Sequence, residues 1–90
     1  MDRYVIERTL PGAGALTDEQ IGAVATRSNE VLAELGDGVS WVESYVTDDK
    51  LYCVYDAQDP ELIREHAARG GFPCDAIAPV RRTISPADGS

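Results

Sequence analysis

The sequence contains few residues that could carry out chemistry, and one histidine stands out among them. His66 is the only histidine in the 90 residues. Neutral imidazole binds divalent metals and transfers protons near neutral pH, so His66 is a candidate metal ligand. Glu7 and Glu43 are its candidate partners if the strands that carry them bring their carboxylates to one place. The alternative is a partly buried histidine that bonds a backbone carbonyl, because His66 lies on the apolar face of a predicted helix.

The sequence contains no complete motif that is typical of an enzyme. Cys53 and Cys74 are too few for a disulfide scaffold and do not have CxxC metal spacing. The Gly12-Ala13-Gly14 segment lacks the third glycine and the lysine of phosphate-binding loops. His66 beside a carboxylate could act as an acid–base pair, but no nucleophile motif accompanies it. We therefore expect a binding protein rather than an enzyme.

Four aromatic side chains lie in one predicted hairpin. Residues 39–46 and 51–55 are rich in β-branched and aromatic residues, and the polar segment between them favours a turn. The candidate ligand-pocket residues are Trp41, Tyr45, Tyr52 and Tyr55. Regular alternation places Trp41, Glu43 and Tyr45 on one strand face. Large apolar side chains at an uncovered face usually mark an interface or pocket, so we expect this face to be open. The alternative is that it faces the helices.

Two helices must position these residues. The first has a capping box formed by Thr17 and Gln20, and Gly36 ends it. Its apolar stripe consists of Ile21, Val24, Ala25, Ser28, Val31, Leu32 and Leu35, and we expect this stripe to pack on a sheet. The second helix begins at Asp59-Pro60 and ends at Gly70-Gly71.

The remaining segments complete a βαββαβ order. Residues 3–9 alternate as a strand, and residues 75–84 predict the last strand. Two amphipathic helices and four strands predict an α+β, ferredoxin-like fold, with a four-stranded antiparallel sheet and both helices on one face. We expect a single domain over residues 1–84 and a disordered C-terminal tail over residues 85–90.

Composition limits the partners. The net charge is −8 at pH 7, and such an acidic chain should repel phosphate backbones, so we expect no nucleic-acid partner. The N-terminus has no apolar signal-peptide region, and no apolar run is long enough to span a membrane. We expect a cytoplasmic protein that does not bind membranes.

Several segments resemble one family of small bacterial proteins. They read Tyr-Val-Ile-Glu-Arg at 4–8, Trp-Val-Glu-Ser-Tyr-Val at 41–46, Lys-Leu-Tyr-Cys-Val-Tyr at 50–55 and Ile-Arg-Glu-His-Ala-Ala-Arg-Gly-Gly-Phe-Pro at 63–73. That family is catalogued as a domain of unknown function and described as nickel-binding. The resemblance extends from about Tyr4 to Thr83. It implies a ferredoxin-like homodimer with nickel sites served by histidine and carboxylate side chains, although this chain offers only His66 as an imidazole.

Three functions follow as hypotheses. The first is a homodimer, paired through the open sheet face, that binds nickel or another divalent metal through His66, Glu7 and Glu43. The second is a dimeric α/β barrel that binds or converts a small molecule in the aromatic pocket. The third is a non-catalytic protein-interaction module that uses the same open face.

Overall fold

In the computed structural model, which describes residues 1–89, four strands and two helices follow each other in the predicted order. They are β1 (Asp2–Thr9), α1 (Asp18–Leu35), β2 (Val39–Val46), β3 (Lys50–Ala57), α2 (Pro60–Gly70) and β4 (Ala76–Pro79). The strand order in the sheet is β2-β3-β1-β4, and each neighbouring pair is antiparallel. The predicted ferredoxin-like α+β fold is therefore confirmed.

The helix ends form where the sequence places them. Thr17 and Gln20 form the capping box: the Thr17 hydroxyl accepts from the Gln20 amide at 3.1 Å, and the Gln20 side chain accepts from the Thr17 amide at 2.9 Å. Asp59 caps α2 by accepting from the Glu61 amide at 2.9 Å. Gly71 ends α2 with a left-handed φ of 72°, a conformation that glycine adopts without steric cost.

The core lies between one sheet face and the two helices. Tyr4, Ile6, Cys53 and Tyr55 alternate along β1 and β3 and are buried. Ile63 of α2 is part of the same cluster. Intervening residues such as Val5 and Val54 are less buried, since no helix covers the other face. The face that the helices cover is called the helix side of the sheet, and the opposite face is called the open face.

A β-bulge in β2 reverses the predicted alternation. Trp41 pairs with Tyr55, but the next pair is Glu43 with Val54, so Val42 has no counterpart on β3. One extra residue in a strand moves the side chains that follow it to the other face. Trp41 therefore faces the helix side, whereas Glu43 and Tyr45 face the open side. The prediction that these three residues share a face was wrong.

The last strand is shorter than predicted. It ends at Pro79, not at Ile84, and beyond Pro79 the Val80 amide donates to the Arg3 carbonyl at 2.8 Å. Tyr4 pairs with Pro79 in this register, so Val80 lies opposite Arg3. Residues 81–85 have no regular secondary structure.

Residues 86–89 form an exposed 3₁₀ turn after β4, and Ser90 lies outside the described residues. The domain limit at residue 84 and the disorder of residues 85–90 stay predictions. Within residues 1–89, no helix has the length and apolar character needed to span a bilayer.

Candidate functional site

The three predicted metal ligands lie on opposite sides of the sheet. His66 of α2 is completely buried, with 0% of its surface exposed, on the helix side. Glu7 pairs with Tyr52 between the inward-facing Ile6 and Arg8, so it faces the open side. Glu43 also faces the open side because of the bulge. Within one chain, His66 cannot share a metal ion with Glu7 or Glu43, which corrects the predicted grouping.

The two carboxylates already have partners on the open face. Glu7 accepts from the Lys50 ammonium at 2.5 Å. Glu43 accepts from the hydroxyl of Tyr45, and this bond raises the pKa of that hydroxyl. Nowhere in residues 1–89 do three or more His, Cys, Asp or Glu side chains lie close enough together to hold a metal ion.

The surroundings of His66 do not suit a divalent cation. Its Nε2 lies 3.0 Å from the hydroxyl oxygen of Ser28, and its ring centroid lies 5.4 Å from those of both Tyr55 and Phe72. Burial, and then the positive charge of Arg8, lower the pKa of His66 to about 4. A guanidinium that disfavours the imidazolium also repels a metal cation. His66 is therefore a neutral core residue, bonded to a side-chain hydroxyl and not to the expected backbone carbonyl.

The predicted aromatic pocket is divided between the two sheet faces. Trp41 and Tyr55 are a cross-strand pair on the helix side, whereas Tyr45 and Tyr52 are a pair on the open face. The Trp41 indole nitrogen donates to the Ser44 hydroxyl at 2.9 Å, which fixes the indole ring on the helix side. The four aromatic residues do not line one pocket, because the bulge separates Trp41 from Tyr45 and ordinary strand alternation separates Tyr52 from Tyr55.

A different pocket lies between the N-terminal half of α1 and the sheet. This cleft has a volume of about 410 Å³, and its walls are mostly apolar. Its lining includes Ile21, Val24 and Ala25 of α1, Trp41 and Ser44 of β2, and Phe72 after α2.

The cleft exists because α1 packs closely on the core only in its second half. Val31 is fully buried, whereas Val24, one turn before Ser28, is 40% exposed. Sequence reasoning missed this cleft, since the apolar stripe predicted contact with the sheet along the whole helix. Small side chains at Ala25 and Ser28 were the available signal that space remains there.

Arg8 is the charged residue of the cleft wall, and only 4% of its surface is exposed. Its Nη1 donates to the Pro73 carbonyl, whereas its buried Nη2 has no hydrogen-bond partner. Its Cζ lies 6.0 Å from the ring centroid of Tyr55 and 5.8 Å from that of Phe72. Among residues 1–89, no carboxylate lies within ion-pair distance of this guanidinium. Arg8 alternates with Tyr4 and Ile6 along β1, and this pattern could have predicted that the Arg8 side chain is buried.

Comparison with known proteins supports the fold and the family. The crystal structure of SCO4226 from Streptomyces coelicolor A3(2) superposes with a TM-score of 0.75 at 16% sequence identity, covering 91% of this chain and 99% of that one. At this identity the likeness concerns the fold alone. No curated protein matches the chain. The family described as "Nickel responsive protein SCO4226-like" matches residues 4–80, within the predicted range of resemblance, and the chain therefore belongs to this family.

Proposed function

We propose that the protein binds a small organic molecule in the cleft between α1 and the sheet. The observation that carries this proposal is the cleft itself, with its volume of about 410 Å³ and its apolar walls. Small-molecule pockets have volumes of roughly 300–1,000 Å³, with mainly apolar linings and a few polar groups. The aromatic rings of Trp41, Tyr55 and Phe72 provide flat apolar surfaces for such a ligand.

A ligand would gain affinity from the apolar walls and orientation from a few polar groups. Each Å² of apolar surface removed from water contributes roughly 25 cal/mol, and exposed wall residues such as Val24 offer such surface. The polar side chains of the lining are Arg8, Ser28, Ser44 and Tyr55. We assign no catalytic role to them: the Ser28 hydroxyl lies 3.0 Å from Nε2 of His66, but Nδ1 of that buried imidazole has no hydrogen-bond partner that would orient it as a base.

Nickel binding is the second candidate, favoured by the family description. Within residues 1–89 the donors of one chain do not form a site, so a nickel site would need donors from a second copy. Glu7 and Glu43 are the accessible carboxylates for such a shared site. Calorimetric titration of untagged protein with Ni²⁺ tests this candidate. Binding that is lost in Glu43→Gln but kept in His66→Gln would support it, and no heat of binding would reject it.

We further propose that two copies pair through the open face, since the helices cover only the other one. Tyr45 is 55% exposed there, and Val42 of the same strand is 43% exposed. Arg3 is paired with Asp56 at 2.9 Å, as Glu7 is with Lys50, so several charges of this face are already compensated within the chain. Pairing of two copies would remove its apolar side chains from water.

The experiment for the cleft uses a neutral apolar fluorophore, N-phenyl-1-naphthylamine. We expect saturable binding to the wild type with increased fluorescence. Ala25→Phe should abolish it, because Ala25 lies on the cleft wall and the larger ring would fill the space. Ala23→Phe is the matched control, since Ala23 is exposed on the same helix. Equal binding by the two variants, or none by the wild type, would contradict the proposal.

A further inference from the structure

The properties of Arg8 indicate the chemical class of the ligand. We propose that the ligand of the cleft is a small monocarboxylate with an apolar body, and that the guanidinium of Arg8 binds its carboxylate. This assignment rests on the proposed function of the cleft and specifies it further.

Arg8 has no carboxylate counter-ion within ion-pair distance among residues 1–89. A guanidinium stays protonated at every physiological pH, so Arg8 carries a full charge although it is only 4% exposed. Buried charges are normally paired, because removing an ion from water is costly. Within residues 1–89 the hydrogen bond of Arg8 goes to the neutral carbonyl of Pro73. Asp75, whose pKa is lowered by the hydrogen bond from the Thr9 amide and also by the charge of Arg8, does not form an ion pair with it. A ligand anion would supply the missing partner.

The guanidinium of Arg8 is held in place before a ligand arrives. Contacts with the rings of Tyr55 and Phe72, at 6.0 and 5.8 Å, lie within the distance at which cations are attracted to aromatic rings. The hydrogen bond from Nη1 to the Pro73 carbonyl also holds the guanidinium in place. The guanidinium is therefore held rigidly in the cleft wall, and its buried Nη2 is a donor without a partner.

The polar groups near Arg8 determine which kind of anion fits the cleft. Arg8 is the cationic group of the cleft wall, and the polar groups near it are the hydroxyls of Ser28 and Tyr55. His66 behind them is neutral, since its pKa is lowered to about 4. One guanidinium and two hydroxyls match a single carboxylate, whereas a phosphate has more charge and more acceptor oxygens than this set can satisfy. The apolar remainder of the cleft then accommodates an aryl or short alkyl body.

The test compares 4-phenylbutanoate with its uncharged amide, 4-phenylbutanamide, by isothermal titration calorimetry. We expect the wild type to bind the acid about tenfold more tightly than the amide or better, because hydrogen bonds to a charged group are stronger than those to a neutral one. Arg8→Gln should lose this preference. Arg64→Gln is the matched control and should keep it, since Arg64 is exposed on α2 and does not line the cleft.

Binding of the neutral fluorophore separates the possible failures. If Arg8→Gln binds the fluorophore like the wild type, its fold and cleft are intact, and loss of the acid preference then supports the role of Arg8. Equal wild-type affinity for acid and amide, with fluorophore binding present, would overturn the carboxylate assignment and leave cleft binding in place. Failure of the wild type to bind the acid, the amide or the fluorophore would overturn both. The wild-type comparison decides the matter even if Arg8→Gln does not fold.

Discussion

The Ser28 hydroxyl on α1 and the His66 imidazole on α2 lie 3.0 Å apart, from Oγ to Nε2, and join the two helices inside the core. Burial and the nearby charge of Arg8 keep this imidazole neutral in the folded protein. The only histidine of the chain is thus part of the packing between the helices, next to the proposed binding cleft.

This arrangement predicts a loss of stability in mild acid. The pKa of His66 is lowered from 6.5 to about 4, so between these values the unfolded chain binds a proton that the folded chain does not. The free energy of unfolding should therefore fall as the pH decreases from about 6.5 to about 4, by roughly 3 kcal/mol in total. Asp56 and Asp75 have pKa values below their usual 3.8, so their contributions are lost only at lower pH.

Urea denaturation at several pH values measures this effect. His66→Gln should be less stable than the wild type at pH 7 but should lack most of the pH dependence in this window. A wild type and variant with parallel pH profiles would show that His66 does not titrate in the way described.

Local sequence signals predicted most of the fold. The capping box at Thr17, the Asp59-Pro60 start of α2 and the glycines after each helix act over a few residues, so their outcome is visible in the sequence. The bulge at Val42 was not predictable in this way, because it depends on how β2 pairs with β3. That one residue placed Trp41 and Tyr45 on opposite faces of the sheet.

The candidate site was harder to predict than the fold. Alternation along β1 could have placed Arg8 beside Ile6 on the buried side. The space between α1 and the sheet was not predictable, because an apolar stripe does not show how closely each turn approaches the strands. His66 was correctly placed on the apolar face of α2, but its role depends on Ser28, which lies on another helix.

The bulge makes a prediction about deletions. Removing Val42 should leave Trp41 on the helix side and Glu43 on the open face, because Val42 has no partner on β3. Removing Val54 from β3 should reverse the faces of a strand that pairs on both sides. We expect the Val42 deletion to cost less than about 2 kcal/mol and the Val54 deletion more than about 4 kcal/mol. Chemical denaturation followed by Trp41 fluorescence compares them, and similar losses would contradict the assigned bulge.

The proposed dimer makes a prediction about mass. Light scattering at micromolar concentration should give about twice the chain mass of 9.7 kDa. Tyr45→Lys should shift the protein towards the monomer, because it places a charge on the apolar part of the open face along β2. Thr26→Lys adds the same charge on the exposed surface of α1 and should leave the mass unchanged. A wild-type mass near 9.7 kDa would exclude the dimer under these conditions.

The location of a bound ligand tests the central claim most directly. Intermolecular nuclear Overhauser effects between N-phenyl-1-naphthylamine and the aromatic protons of the protein distinguish the two sheet faces. We predict contacts with Trp41 and Tyr55 on the helix side, where the cleft lies. Contacts with Tyr45 and Tyr52 on the open face, and none with Trp41, would contradict the cleft as the binding site.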